Sequence, residues 1–582
     1  MPRPLPVDPG PSFGATVTLA SAPPSLGAAS VVITDDGSTA VATDTDRDRV
    51  AIVDLVTKEV KLVALAEGDE PGRLTLDDAN RAHVVLDRAG EVATIDLASA
   101  ALVSRRSVCA APRGIARQGT ELFVACTGGE VVALPADPAG APHVIARIDR
   151  DLRDVVAIGP DLLVSRLRSA EVLRVRRSDG AVMARAARPP THNAEPAVAW
   201  RLAPSGNGAV LVHQMAGTDT IDVAAASTPA YGAPATDPCG GPVVTTITSF
   251  TPTAEGGLDV RPNASLSQAV APVDIARSHD SGRFTLIAAG NAHIKELAMV
   301  ETVAAFGSST PSCATPPRTP DGFLIPPGPN VNPDGQAVAL AFTPDDKLVV
   351  FTREPAAIHV RRPFAGSTFE TIPLGGPTRE DTGHAIFHSN SGKGIACVSC
   401  HPGGGDDGRV WKFSDGIRRT QTLEGTLAGT APYHWGGDMF DIESFGSHVF
   451  AKRMGGPHLG YAHLEAMREY LTRLPAPRIS PATDAAAAAR GKALFESASV
   501  GCAGCHDGAK LTNNESVDVG TGAVFQVPSL LGVALRAPYL HDGRARTLLE
   551  RFGAAGGGDN HGHTSTLTPA QIADLIVYLE TL

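Results

Sequence analysis

A strand–turn–strand unit returns along the first two thirds of the chain at a nearly fixed interval. VVITDDGSTAVATDTDRDRVAIVDL (31–55) is followed by LTLDDANRAHVVLDRAGEVATIDL (74–97). In each, a strand leads through a polar turn to a second strand, then through a charged turn to a third that ends in Val-Asp-Leu or Ile-Asp-Leu. Looser copies occupy 115–134, 156–175, 201–214, 275–297 and 339–360. The residues before the first turn of each unit are Ile33, Leu76, Ala116, Ile158, Leu202, Ile275 and Phe342. The first five lie 40–44 residues apart, and the last two steps are 73 and 67. A period of about 40–45 residues with three or four strands is that of a β-propeller blade. A β-sandwich would use similar strands but has no reason for a fixed period. Seven units predict one closed, all-β, seven-bladed ring over residues 26–370, after an N-terminal tail of residues 1–25. The two long steps place insertions near 216–270 and 302–335, whose Pro, Gly, Ser and Thr predict long loops.

The last third carries the chemistry. CVSCH stands at 397–401 and CAGCH at 502–506. One helical turn between the cysteines sets both thiols where they can add to the two vinyl groups of one haem, and the histidine that follows faces the iron. Cys397, Cys400 and His401, and Cys502, Cys505 and His506, are therefore the expected attachment points of two covalent haem c groups. A zinc ribbon uses paired CxxC but has no need of a histidine after each pair.

The flanks of the two motifs are duplicated. GHAIFHS (383–389) precedes the first and GKALFES (491–497) the second. TQTLEGTLAGTAPYHWGG (420–437) and VPSLLGVALRAPYLHDG (527–543) follow them. Each half closes on an amphipathic helix, HLEAMREYLTRL (463–474) and QIADLIVYLETL (571–582), with Thr568 and Pro569 as N-cap and first turn of the latter. Two mainly α, cytochrome c-like domains are expected, 375–474 and 487–582, joined by a linker at 475–486.

On these motifs, residues from about 375 to 582 resemble the bacterial di-haem cytochrome c peroxidases, including the MauG-type enzymes. The resemblance implies a peroxidatic first haem, a second haem that relays electrons from a small donor, a c-type cytochrome or cupredoxin, and a tryptophan between them. Trp435 matches that tryptophan. The family's distal glutamate falls here on Gly455 and its glutamine on Phe445, so His448 or Glu443, with Trp435, are the catalytic candidates, and His434 is a further polar candidate for the distal pocket. Met454 is a candidate ligand of the first iron, which would make that haem an electron carrier. The family's second distal ligand falls on Ala555. His561 or His563 is expected to take its place. His541 matches a motif residue that braces the haem. A structural calcium belongs to the family pattern, with no sign of it in these residues.

The net charge of −12 and the lack of a basic stripe argue against nucleic acid as a partner. No apolar run is long enough to span a bilayer. The N-terminus lacks a signal-like apolar core, yet thioether haem attachment, as the resemblance implies, predicts a periplasmic or otherwise extracytoplasmic setting. The four other cysteines either pair or stay as buried thiols, and Cys109 with Cys126, and Cys239 with Cys313, are the pairs the sequence offers. The propeller, with no catalytic cluster of its own, is expected to dock a protein partner.

Overall fold

The computed structural model describes residues 10–222, 242–266, 269–292, 299–302, 335–362 and 368–582. Seven antiparallel sheets follow one another along the chain, six with four strands and the sixth with three among the described residues. Their first strands are Val31–Ile33, Pro71–Leu76, Pro112–Gln118, Leu152–Ile158, Ala194–Ser205, Asp274–Arg277 and Ala337–Phe342. Each holds one of the seven anchor residues. Within every sheet the strands pair in sequence order, so each blade is a meander closed by local turns.

Apolar side chains alternate onto both faces of every sheet and meet those of the next. Val84 and Leu86 pack with Val50 and Ile52 between the first two blades, and Val210 and Ile247 with Ile275 and Leu286 between the fifth and sixth. Ala40, Ala51 and Val53 of the first blade share a core with Leu348, Val350 and Ile358 of the seventh, which closes the ring. Buried charges clip the inner strands together. The Asp154 carboxylate accepts from the Leu202 amide at 3.0 Å and Asp274 from the Leu340 amide at 3.0 Å. Arg201 bridges the two carboxylates at 3.3 and 3.0 Å. Such a chain of paired, hydrogen-bonded charges meets the cost of burying them.

Two expectations need correction. The stretch near 216–270 is not one long loop: Val243–Pro252 and Leu258–Leu266 are the two outer strands of the fifth blade. Their Thr- and Val-rich sequence suits a strand, which the flanking Pro and Gly obscure. The first residues are also not a loose tail. The Val17 amide donates to Thr382 and the Leu19 amide to Asp381, at 2.9 and 3.1 Å. The Leu26 amide donates to His388 Nε2 at 3.2 Å. Cys109 and Cys126 form a disulfide, with Cys109 in the turn before the third blade rather than in a strand. Cys239 and Cys313 lie outside the described residues, as does much of the 302–335 insertion.

The two haem-motif halves repeat one helix crossing. Thr382–His388 packs on Tyr461–Thr472, and Ala485–Phe495 on Pro569–Leu579. Each crossing is built on a glycine. A Cβ on Gly383 would lie 2.2 Å from the Ala466 carbonyl oxygen, and one on Gly491 2.0 Å from that of Asp574, so only glycine lets these backbones touch. Thr568 caps the last helix in a capping box with Gln571, with proline following it, as the sequence predicts. No helix among the described residues is long and apolar enough to cross a membrane.

Candidate functional site

Both CxxCH motifs line a single cavity of about 620 Å³. Cys397–Cys400 is one turn of α-helix, and Cys502–Gly504 is a tighter 3₁₀ turn. The four thiols are not disulfide-bonded. Each motif histidine is oriented by a backbone carbonyl. His401 Nδ1 meets the Gly405 oxygen at 3.1 Å and His506 Nδ1 the Leu511 oxygen at 3.1 Å. A carbonyl can only accept, so Nδ1 carries the proton and the Nε2 lone pair is left for a metal. Burial pushes the His506 pKa down to about 4 and lowers that of His401 as well, which keeps both neutral, as a ligand must be.

His561 faces His506. Their ring centroids are 6.4 Å apart with 34° between the planes. Two imidazole–metal bonds of about 2.0 Å each plus two ring radii span about 6 Å. His561 Nδ1 meets the Gly556 oxygen at 3.1 Å, so it too presents Nε2. Burial pushes its pKa down to about 3. The neighbouring His563 is exposed and stands off the cavity. Among the described residues His401 has no such imidazole opposite it.

The loops that follow the motifs are duplicated in three dimensions. Tyr433 bridges to Met439 and Tyr539 to Ala545. His434 and Leu540, at matching places, both adopt left-handed φ angles of 68° and 73°. Trp435 and His541 are thus equivalent residues of the two halves, and they meet at the seam, with ring centroids 6.3 Å apart. The Trp435 indole donates to the Arg419 carbonyl at 2.8 Å, and its own carbonyl accepts from the Gln526 amide at 2.9 Å. His541 stacks on Phe525 at 3.9 Å.

His448 and Glu443, expected at the distal site, do not reach it. Residues Phe445–Arg453 form a π-helix, in which Met454 N–H still donates to the Val449 carbonyl five residues back. The wider turn brings Val449, Phe450, Arg453 and Met454 to the cavity. It leaves His448 in solvent, with Nδ1 3.2 Å from the Ser444 oxygen. Glu443 pairs with Arg468 at 3.5 Å. His434, which lines the cavity and lies 3.4 Å from Asp438, is the acid–base candidate that remains. Met454 is buried and lines the same space.

Trp411, Arg419 and Arg536 also line the cavity; Arg536 stands inside the VPSLLGVALRAPYLHDG segment, whereas no motif pointed to Trp411 or Arg419. Trp411 and Arg419 belong to a hairpin, Val410–Phe413 with Gly416–Arg419, that joins both halves and the propeller. The Arg419 amide donates to the His541 carbonyl at 2.6 Å and the Ile221 amide to that of Lys412 at 2.8 Å. Among the described residues no cluster of three or more His, Cys, Asp or Glu side chains gathers for a metal ion such as calcium.

The cavity suits haem c. It offers paired thiols, neutral imidazoles, apolar walls including Phe387, Leu427, Leu530 and Leu548, and buried guanidinium nitrogens of Arg419 and Arg536 that lack a hydrogen-bond partner.

Comparison with known proteins agrees for the second motif. Residues 488–582 match the cytochrome c family. Hydrazine synthase subunit gamma of Kuenenia stuttgartiensis is 25% identical over 253 residues, spanning 32% of this chain and 72% of that protein. Among solved structures, a chain of Kuenenia stuttgartiensis hydrazine synthase aligns with a TM-score of 0.45 and 16% identity, covering 61% of this chain and 99% of its own. A streptogramin B lyase aligns at 0.39 and 9%, covering 58% and 93%. The chain is thus a seven-bladed propeller followed by a C-terminal cytochrome c domain, of the kind that binds haem c covalently, and part of it is similar to hydrazine synthase subunit gamma.

Proposed function

We propose that this chain is a di-haem c-type oxidoreductase of the cytochrome c peroxidase kind. One haem is held by Cys397, Cys400 and His401, and a second by Cys502, Cys505 and His506. The observation that carries the reading is the asymmetry of the two sites: His506 faces His561 at 6.4 Å, while His401 faces no second imidazole among the described residues. Bound haem c supplies an iron that takes up and releases single electrons. A site closed by two histidines suits relay, and a site left open suits a small oxidant, here hydrogen peroxide.

The protein's own part is positioning and proton handling. The carbonyls of Gly405, Leu511 and Gly556 fix the tautomers of the three histidines. Trp435 is held between the halves by hydrogen bonds on both sides. His434 can take a proton at a ring nitrogen and return it to a departing hydroxide, with Asp438 stabilising the imidazolium. A small redox protein, a c-type cytochrome or cupredoxin, is the electron donor, the setting is extracytoplasmic, and the propeller docks a partner. The relative's name, which makes it a subunit, supports a chain that works in an assembly.

A second reading is favoured by Met454. Its thioether is buried beside the first site, and as a ligand it would make the chain a pure electron carrier. Carbon monoxide titration of the fully reduced protein separates the two. The peroxidase reading expects two haems and one carbon monoxide per chain, and the carrier reading expects none bound. Intact-mass measurement should show about 1.2 kDa beyond the polypeptide, the mass of two thioether-bound haems.

A further inference from the structure

A group of charged side chains gathers where the fourth propeller blade touches the haem cavity. Asp406, five residues after His401, is fully buried. One carboxylate oxygen lies 2.9 Å from Arg419 Nη2 and the other 3.3 Å from Nη2 of Arg168. Arg168 sits in the turn between Asp161–Arg166 and Val172–Arg176 of the propeller, and its Nε donates to the Asp406 carbonyl at 3.1 Å. Arg536, from the second half, is near enough for the Asp406 charge to act on it. Its Nη1 donates to the Ser529 carbonyl at 2.6 Å.

Asp407 also acts on Arg419 and Glu424 on Arg536, and burial raises both of these carboxyls above their ordinary values. Two of the three guanidiniums nonetheless keep a buried N–H without a hydrogen-bond partner, Arg419 Nε and Arg536 Nη2. Both side chains line the cavity, and Arg419 is only 5% exposed. An unpaired buried guanidinium is costly, and a carboxylate taken up in fork geometry relieves the cost. We propose that Arg419 and Arg536 form a cradle for haem propionate carboxylates at the seam of the two halves, and that Arg168, through Asp406, lets the propeller set the strength of that cradle. The proposal rests on the haem reading above. It makes the propeller a tuner of the redox centre as well as a docking surface, with Arg168 and Asp406 as positioning residues.

The sign of the effect follows from charge. An oxidised haem carries one more positive charge than a reduced one, so a nearby guanidinium favours reduction and its loss lowers the midpoint potential. The test is spectroelectrochemical titration of the full-length, haem-loaded protein with Arg536→Gln and Arg168→Gln. Both variants should keep two haems by haemochrome assay and show a lower midpoint for at least one of them. For Arg536→Gln the shift should be about tenfold in the oxidised-to-reduced ratio at fixed poise, about 59 mV for one electron. Arg168→Gln should shift the same haem in the same direction by less. Unchanged potentials in both variants, with both haems present, would overturn the cradle and leave the haem reading standing. Wild-type protein without covalent haem would overturn the haem reading itself. If Arg536→Gln does not load haem, Arg168→Gln decides alone, a lowered potential upholding the proposal and an unchanged one refuting it. A shift that appears only with added acetate or nitrite would mean that the cradle serves a free anion and not a propionate, and would also refute it.

Discussion

His506 and His561 stand 6.4 Å apart, ring to ring, each with Nδ1 on a backbone carbonyl and Nε2 turned to the cavity. On the proposed reading, this pairing gives the two halves of a duplicated chain different chemical roles. Replacing His561 by Ala should therefore open the second site. The oxidised protein should gain a high-spin signal by electron paramagnetic resonance, and the reduced protein should bind two carbon monoxide molecules per chain in place of one. An unchanged low-spin signal would show that His561 is not a ligand.

Trp435 joins the halves by packing on His541 and through its carbonyl, which accepts from the Gln526 amide, while its indole donates to the Arg419 carbonyl within the first half. Trp435→Phe keeps most of the apolar contact and loses that bond, so its cost to folding should be about 1 kcal/mol. Turnover with an external electron donor should fall much further than stability does. Stopped-flow reduction of the two sites would locate the loss between them.

The Cys109–Cys126 disulfide closes a loop of sequence separation 17. Replacing both cysteines by Ser should lower propeller stability by about 3 kcal/mol through the wider freedom of the unfolded chain. Chemical denaturation monitored by far-ultraviolet circular dichroism checks it, and the haem spectrum should be unaffected at low denaturant.

Burial pushes His213 and His388 down to about 3. In the unfolded chain a histidine titrates near 6.5. Below that value the unfolded chain binds protons at these positions and the folded chain does not, so stability falls as pH drops from about 6.5 towards 3. Above 6.5 the two groups have no effect. At pH 5 the loss should be about 2 kcal/mol for each. His388 Nε2 accepts from the Leu26 amide, which a protonated ring cannot do. Release of the N-terminal segment, seen by limited proteolysis, should accompany acidification.

The propeller was legible because its period is set by local turns. All seven anchors fall in first strands even where insertions break the spacing. The two CxxCH motifs and the cavity they share were legible because each motif's spacing is fixed within one turn. His561 could be placed only as one of two candidates, since Gly-rich sequence carries no register. His448 points away from the cavity because the π-helix at Phe445–Arg453 changes which residues face inward, and Glu443, ahead of that helix, is held by Arg468. Arg168 and Asp406 lie 238 residues apart, and no local pattern announces such a pair.

The central claim is that the second site is closed by two histidines and the first is open. Electron paramagnetic resonance of the fully oxidised protein, in which both ferric haems give a signal, tests it most directly before and after hydrogen peroxide. The account predicts that peroxide changes the signal of the haem bound at His401, assigned by its loss in a His401→Gly variant, while the low-spin bis-histidine signal persists. Two low-spin signals unchanged by peroxide, or a reaction confined to the haem at His506, would contradict it.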